Sequence, residues 1–257
     1  MIPIKGLADI AGQYDGMLID QFGVLHDGGT LYPGSLGVLT ELKALGIPVA
    51  VMTNSAKRAA PNVARLTQMG IPRDHFVDAV SSGEVAYDLL RGSTAKRAFI
   101  VGRQGDDYGF DMFDLVARPD DADIILILGS DAPRVSLEEY GRLLKGVTAP
   151  AVCCNPDKWM ITPSGLHPAP GAIAALYESQ GGKVRWIGKP HREIYDYALR
   201  RIGRPQRVLC VGDSAEHDVA GGRGAGLATL LIRTGVSEGQ TDFEPAPDYL
   251  MEHFTWR

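Results

Sequence analysis

Asp20 closes a short apolar run, "MLID", and opens the loop "QFGVLHDG". A carboxylate there can attack a phosphorus or carbon centre as a nucleophile, or hold Mg²⁺ through its oxygens. Capping of a turn is the ordinary alternative. Farther along, "VLCVGDSAEHD" puts Asp213 at the end of another apolar run, with Asp218 following in the same loop. Two carboxylates beside a third make an acidic pocket that a cation would neutralise; a capping aspartate plus a solvated one is the plainer reading. Lys189, in "WIGKPH", stands between Gly188 and Pro190 and could meet a phosphate as a point charge. Thr53, Asn54 and Ser55 follow the run "IPVAVM". Their hydroxyls, amide and N–H groups suit an anion at a helix start, or ordinary capping of that helix.

These groups need elements to hold them. The runs "MLID", "IPVAVMT", "RAFIVG", "ADIILILG", "APAVCCN", "KVRWIG", "RVLCVGD" and "ATLLIRT" read as buried strands, apolar without alternation because both faces are covered. Between them, "SLGVLTELKALG", "PNVARLTQMG", "SLEEYGRLLKG" and "HREIYDYALRRIG" carry helical spacing and end signals, including a capping box from Ser136 to Glu139. Alternating strand and helix predicts an α/β fold: a doubly wound, mostly parallel sheet. Each chemical segment directly follows a predicted strand, and in such sheets ligands bind beyond the strands' carboxyl ends. The stretch of about 83–182 holds none of the four. It reads as an inserted second domain, with 1–82 and 183–257 forming the core and the active site in the crevice between them.

Bulk properties narrow the function. The net charge is −5, from 31 acidic and 26 basic residues, and no basic stripe points to nucleic acid. No apolar run approaches the roughly 18 residues that span a membrane, and the N-terminus lacks the pattern of a signal peptide. The three cysteines, two of them adjacent (Cys153, Cys154), read as buried thiols of a cytoplasmic protein rather than a disulfide framework. "GGRGAG" misses the dinucleotide-binding spacing and reads as a helix end and turn, while "GKP" lacks the rest of a P-loop. Asp15-Gly16 has no strand before it and reads as a decoy.

Taken together, "IDQFGVL", "VMTN", "GKP" and "VGDSAEHD", in that order, closely resemble the motifs of the haloacid dehalogenase-like (HAD) superfamily over nearly the whole chain. "SSGEVAYDLL", "CNPDKWMITPSG" and "APGAI" resemble the cap boundary and Asn-Pro-Asp signature of the class IIA, NagD-like subfamily. The resemblance implies a Rossmann-like core with an inserted α/β cap, and hydrolysis of a small phosphorylated metabolite. It implies Asp20 as the nucleophile forming an aspartyl-phosphate, with Thr53 and Lys189 holding the phosphoryl oxygens. Mg²⁺ would be held by Asp20, the backbone carbonyl of Phe22 and Asp213, with Asp218 in support. Asn54, Ser55, Asn155 and Asp157 would line the substrate site, with Lys158 also in reach; relatives often form homodimers.

Phe22 departs from the pattern. Most phosphatases of the superfamily carry an aspartate there, which protonates the leaving alkoxide and then deprotonates water. General acid–base catalysis is worth about 10²–10⁴ in rate. Another group, such as His26, Asp27 or His191, takes over; or the leaving group needs no acid; or the chemistry differs. The alternatives are therefore a slow or inactive phosphate-binding protein, or dehalogenase-like attack of Asp20 on carbon.

Overall fold

The structure is a computed structural model that describes residues 1–162 and 165–257. Pro163 and Ser164, within the "CNPDKWMITPSG" signature, lie outside the described residues. The chain divides into two compact units: Met1–Thr53, Ala59–Val80 and Lys189–Arg257 form the first, and Asn54–Arg58 with Ser81–Gly188 the second.

The first unit holds a seven-stranded sheet. Its order is Ile2–Pro3, Tyr249–Met251, Ala228–Ile232, Val208–Gly212, Gly16–Asp20, Val49–Thr53 and Asp78–Ser81. The strands from Ile2–Pro3 through Val49–Thr53 pair in parallel. All five residues of both Gly16–Asp20 and Val208–Gly212 are buried, the physical reason these runs show no polar alternation. Met17, Ile19, Val51, Leu209 and Val211 join Leu39, Leu42 and Leu66 of the flanking helices in one core.

The second unit has its own five-stranded parallel sheet, ordered Val184–Trp186, Ala151–Cys153, Ile124–Ile127, Arg97–Val101 and Asp114–Leu115. Its core gathers Ile125, Ile127, Cys153, Ile173 and Tyr177. Trp159–Thr162 and Gly165–Pro168 pair antiparallel as a separate hairpin. The capping box at Ser136 forms in full, and Pro170 opens the helix Pro170–Ser179 at a position where its missing N–H costs nothing.

Two expectations shift in detail. The helix expected to open with Pro61 begins at Ala59. A proline fits there because first-turn N–H groups have no intrahelical acceptor. The expected insert began near 83, whereas the second unit also takes in Asn54–Arg58. Hydrogen bonds explain that grouping: Gly83 N–H donates to the Ser55 carbonyl at 3.1 Å, and Ser81 Oγ to the Lys57 carbonyl at 2.7 Å. All three cysteines are free and buried. Among the described residues no helix is long and apolar enough to cross a membrane.

Candidate active site

The order of the first sheet reverses between Gly16–Asp20 and Val208–Gly212: one crossover leads toward Val49–Thr53, the other toward Ala228–Ile232. Such a switch point opens a crevice at the strands' carboxyl ends. Ile19 is in register with Val211, so Asp20 and Asp213 leave adjacent strands at nearly the same height. On the other side Asp20 is in register with Met52, which puts Thr53 one residue beyond it.

Asp20, Asp213 and Asp218 converge here, each with a carboxylate oxygen within 4.8 Å of the others. Only 8%, 3% and 3% of their surfaces remain exposed. Lys189, equally buried, reaches Oδ1 of Asp20 and Oδ1 of Asp218 at 2.8 Å each. Asp218 sits on a short π-helical turn, Ala215–Val219, and its Oδ2 accepts the Ser214 N–H at 3.2 Å. Opposite it, Gly212 has no room for a Cβ.

Three carboxylates face one ammonium, and burial removes the water that would screen the excess. Burial pushes Asp20 well above the ordinary carboxylate range; repulsion from Asp218 and Asp213 adds to this, and the Lys189 charge opposes it. Asp213 is pushed up to about 7, chiefly by burial and then by Asp218. Burial opposes the charge on Lys189, but Asp20 and Asp218 outweigh it and hold the ammonium protonated. An all-oxygen, closely spaced donor set with surplus negative charge fits a hard divalent cation.

A loop that the sequence reasoning passed over holds Asp213. Val236 N–H donates to its Oδ2 at 2.8 Å, and Ser237 Oγ to its carbonyl at 2.5 Å. Thr234 Oγ1 donates to the Gly23 carbonyl. Gly23 and Gly235 both have positive φ, and a Cβ on either would run into the Asp213 carboxylate. The available signal was "RTGVS" at the end of the strand "ATLLI", one more strand end beside the switch point.

Phe22 keeps 51% of its surface exposed. Its ring stands edge-on to His26, centroids 6.1 Å apart, and a Cβ on Gly28 would touch it. His26 is pinned: its Nδ1 accepts the Gly28 N–H at 3.0 Å, its carbonyl accepts the Gly23 N–H at 2.9 Å, and its N–H reaches the Gln21 carbonyl at 3.1 Å. The neutral ring therefore carries its proton on Nε2, which is buried without a partner, as is Nε2 of Gln21. Burial, with help from the Arg65 charge, lowers His26 to about 4. Asp27, at the loop tip, accepts the N–H groups of Gly29 and Thr30 at 2.8 Å each. The decoy Asp15 pairs with Arg207 at 2.7 Å.

The remaining predicted site residues belong to the second unit, where two of them bind each other. Asn54 Nδ2 donates to Asp157 Oδ1 at 2.8 Å, and Asp157 N–H to Asn155 Oδ1 at 3.0 Å. Ser55 Oγ accepts the Lys57 N–H at 3.3 Å. Gly188, with positive φ, fits tightly against Asn54, Ser82 and Pro156, so the chain reaches Lys189 through a position only glycine fills. Ser55 and Asn155 also line a cavity of about 220 Å³ with Lys57, Arg103, Asp106 and Tyr108.

Comparison with known proteins identifies the family and the fold. Residues 17–115 match the "Haloacid dehalogenase-like hydrolase" family, and residues 186–256 match the family described as "HAD-hyrolase-like". The chain is 28% identical over 249 residues to the 5'-nucleotidase YutF of Bacillus subtilis, covering 94% of this chain and 96% of that one. It is 28% identical to a dihydroxyacetone phosphatase of Corynebacterium glutamicum, covering 86% and 82%. A hydrolase structure of the haloacid dehalogenase-like family from Brucella suis superimposes with a TM-score of 0.86 at 28% identity, over 98% of this chain and 100% of that one. The fold, the order of the strand-end motifs and the matches to both halves lead to one conclusion: the chain belongs to the haloacid dehalogenase-like hydrolases, with the inserted-cap architecture of their NagD-like branch.

Proposed function

We propose that the protein is a Mg²⁺-dependent phosphohydrolase of small organic phosphates, with Asp20 as nucleophile. The observation that carries this reading is the buried ammonium of Lys189, 2.8 Å from both Asp20 and Asp218 at the switch point of the sheet. Phosphatases and a nucleotidase among the relatives support the reaction class.

Asp20 Oδ attacks phosphorus and the bond to the alcohol oxygen breaks, leaving the phosphoryl group on Asp20. Water then attacks that phosphorus and returns Asp20 as a carboxylate. Lys189 orients Asp20 and brings positive charge to the phosphoryl oxygens, and the Thr53 hydroxyl donates to one of them. Asp20, Asp213 and the Phe22 carbonyl would hold Mg²⁺, with Asp218 fixing Lys189. When bound, the ion screens the crowded carboxylates and draws negative charge from the phosphoryl oxygens. Asn54, Asp157, Asn155 and Ser55 would shape the approach to the phosphate through the backbone they brace.

The test is phosphate release from p-nitrophenyl phosphate and a panel of phosphometabolites, with Mg²⁺, with EDTA, and with Asp20→Asn. The expected result is release that requires both Mg²⁺ and Asp20, falling at least 10³-fold in the variant, as loss of a covalent nucleophile does. Phe22 favours one competing reading, a phosphate-binding protein without turnover. That reading predicts a melting shift with inorganic phosphate and Mg²⁺ but no product from any substrate.

A further inference from the structure

We infer that the substrate is a phosphate whose leaving group departs as a stabilised anion, an aryl, enol or acyl phosphate or a phosphoanhydride, rather than a simple alkyl phosphate. This rests on the phosphohydrolase reading above and narrows its substrate class.

The inference comes from asking where the proton for a leaving alkoxide would be stored. Phe22 has none to give. His26 is the nearest imidazole in the same loop. Its Nδ1 is occupied by the Gly28 N–H, and its Nε2 is buried away from solvent. A ring held in that way can neither load a proton from water nor hand one over. Asp27 is spent on the loop tip, accepting from the Gly29 and Thr30 N–H groups and from Thr30 Oγ1 at 3.2 Å. Lys189 is committed to two carboxylates. His191 stands at the start of the helix Arg192–Arg201, where its half-buried ring feels the charges of Glu193 and His217. The charges that dominate at Asp20 are instead Lys189, Asp218 and Asp213. The loop is also built to stay this way: the Phe22 ring lies over Gly28 and edge-on to His26, and Arg65 Nη2 donates to the Gly28 carbonyl at 2.6 Å. In the loop that follows the nucleophile, neither Phe22, His26 nor Asp27 stands ready to donate a proton.

The chemistry balances without one. In the first step the Asp20 carboxylate attacks phosphorus, the P–O bond to the leaving group breaks, and the electron pair leaves on an anion stable in water. In the second step water attacks the phosphorus of the aspartyl-phosphate. The Asp20 carboxylate departs, and the water's protons stay with the phosphate, which leaves as dihydrogen phosphate. Only a leaving group that tolerates the negative charge passes the first step quickly. The second step, also without a base, is slow, so the phosphorylated enzyme accumulates.

The experiment measures kcat/KM with Mg²⁺ for a series of aryl phosphates of graded phenol acidity and for one alkyl phosphate. It is repeated with Phe22→Asp, and a rapid-mixing trace is taken with the most reactive aryl phosphate. The expected result is a steep rise in kcat/KM as the phenol becomes more acidic. The alkyl phosphate should be slower by at least the ~10²–10⁴ that a general acid contributes. A burst of phenolate close to one per active site should precede slow turnover. Phe22→Asp should raise the alkyl rate far more than that of the most acidic phenol. A flat dependence in the unaltered protein, with release still requiring Asp20, would overturn the inference and leave the phosphohydrolase reading standing, because it would mean that some group donates the proton. No Asp20-dependent release from any member of the series would overturn both.

Discussion

The molecule partners its polar side chains in two different ways. In the second unit they come in balanced sets. Arg58 forms a two-pronged pair with Glu84 at 2.8 and 3.0 Å, donates to the Gly109 carbonyl and stacks on Tyr87 at 3.3 Å. Asn54 and Asp157 satisfy each other, and Lys57 meets Asp106 at 3.1 Å. In the first unit, Asp20, Asp213 and Asp218 share a single lysine, and among the described residues three buried nitrogens, of Gln21, His26 and Arg233, lack partners. Balanced polar sets fix a fold, whereas an unbalanced one stores unfavourable free energy that a ligand relieves. The contrast therefore separates structure from site without reference to any relative.

The sharpest way to break the contrast is to balance the first cluster artificially. Asp213→Asn removes one surplus charge while keeping most of the side-chain shape. Activity should fall at least 10²-fold, yet without metal the variant should melt higher than the parent at pH 8. The pH dependence gives the sign. The folded-state pKa of Asp213 is raised to about 7, so the folded form binds more protons than the unfolded chain between about 4 and 7. Its stabilising effect is complete below that window and is lost as pH rises through it. In EDTA the parent's Tm should therefore fall as pH rises from 5 to 8, by on the order of 5 °C. Mg²⁺ should restore it, more at pH 8 than at pH 5. Differential scanning fluorimetry across pH, with and without metal, reads all of this. A parent protein in EDTA whose Tm does not fall as pH rises across this range would mean that the cluster is not frustrated.

A smaller effect is expected at the wall of the cluster. Gly235→Ala asks an L-residue to hold a φ of 56° and pushes a Cβ into the Asp213 carboxylate. Roughly a tenfold loss of kcat/KM with a higher Mg²⁺ requirement should follow, measured by metal titration of activity. The comparison variant Gly239→Ala, also at positive φ but with nothing near its Cβ, should lose a little stability and keep its metal response.

These particulars show how much the sequence disclosed. Strand-end chemistry was legible because a buried parallel strand must be apolar, so a lone Asp20, Thr53 or Asp213 at its end stands out. The resemblance of four ordered motifs gave the rest of the core cluster. The loop from Thr234 to Ser237 was not legible, because its service to Asp213 is rendered by a backbone N–H and by the absence of side chains. Nor was the pairing of Asn54 with Asp157: the residues are 103 positions apart and meet only through the fold. The short strands, such as Ile2–Pro3 and Asp114–Leu115, were missed because two residues cannot display a period.

The smallest effects should come from the balanced side. Lys57 and Asp106 keep 43% and 26% of their side-chain surfaces exposed, so solvent already screens the pair. Lys57→Ala should shift stability by no more than about 1 kcal/mol. Glu84→Ala should cost more, about 2 kcal/mol, because it strands a guanidinium that is only 26% exposed. Neither change touches Asp20 or Lys189. The comparison therefore predicts a split: urea denaturation midpoints move for Glu84→Ala, while the pH profile of kcat/KM toward an aryl phosphate keeps its shape. A changed profile in Glu84→Ala would mean that the balanced network also sets the protonation of the site, and that the two ways of partnering charge are coupled rather than separate.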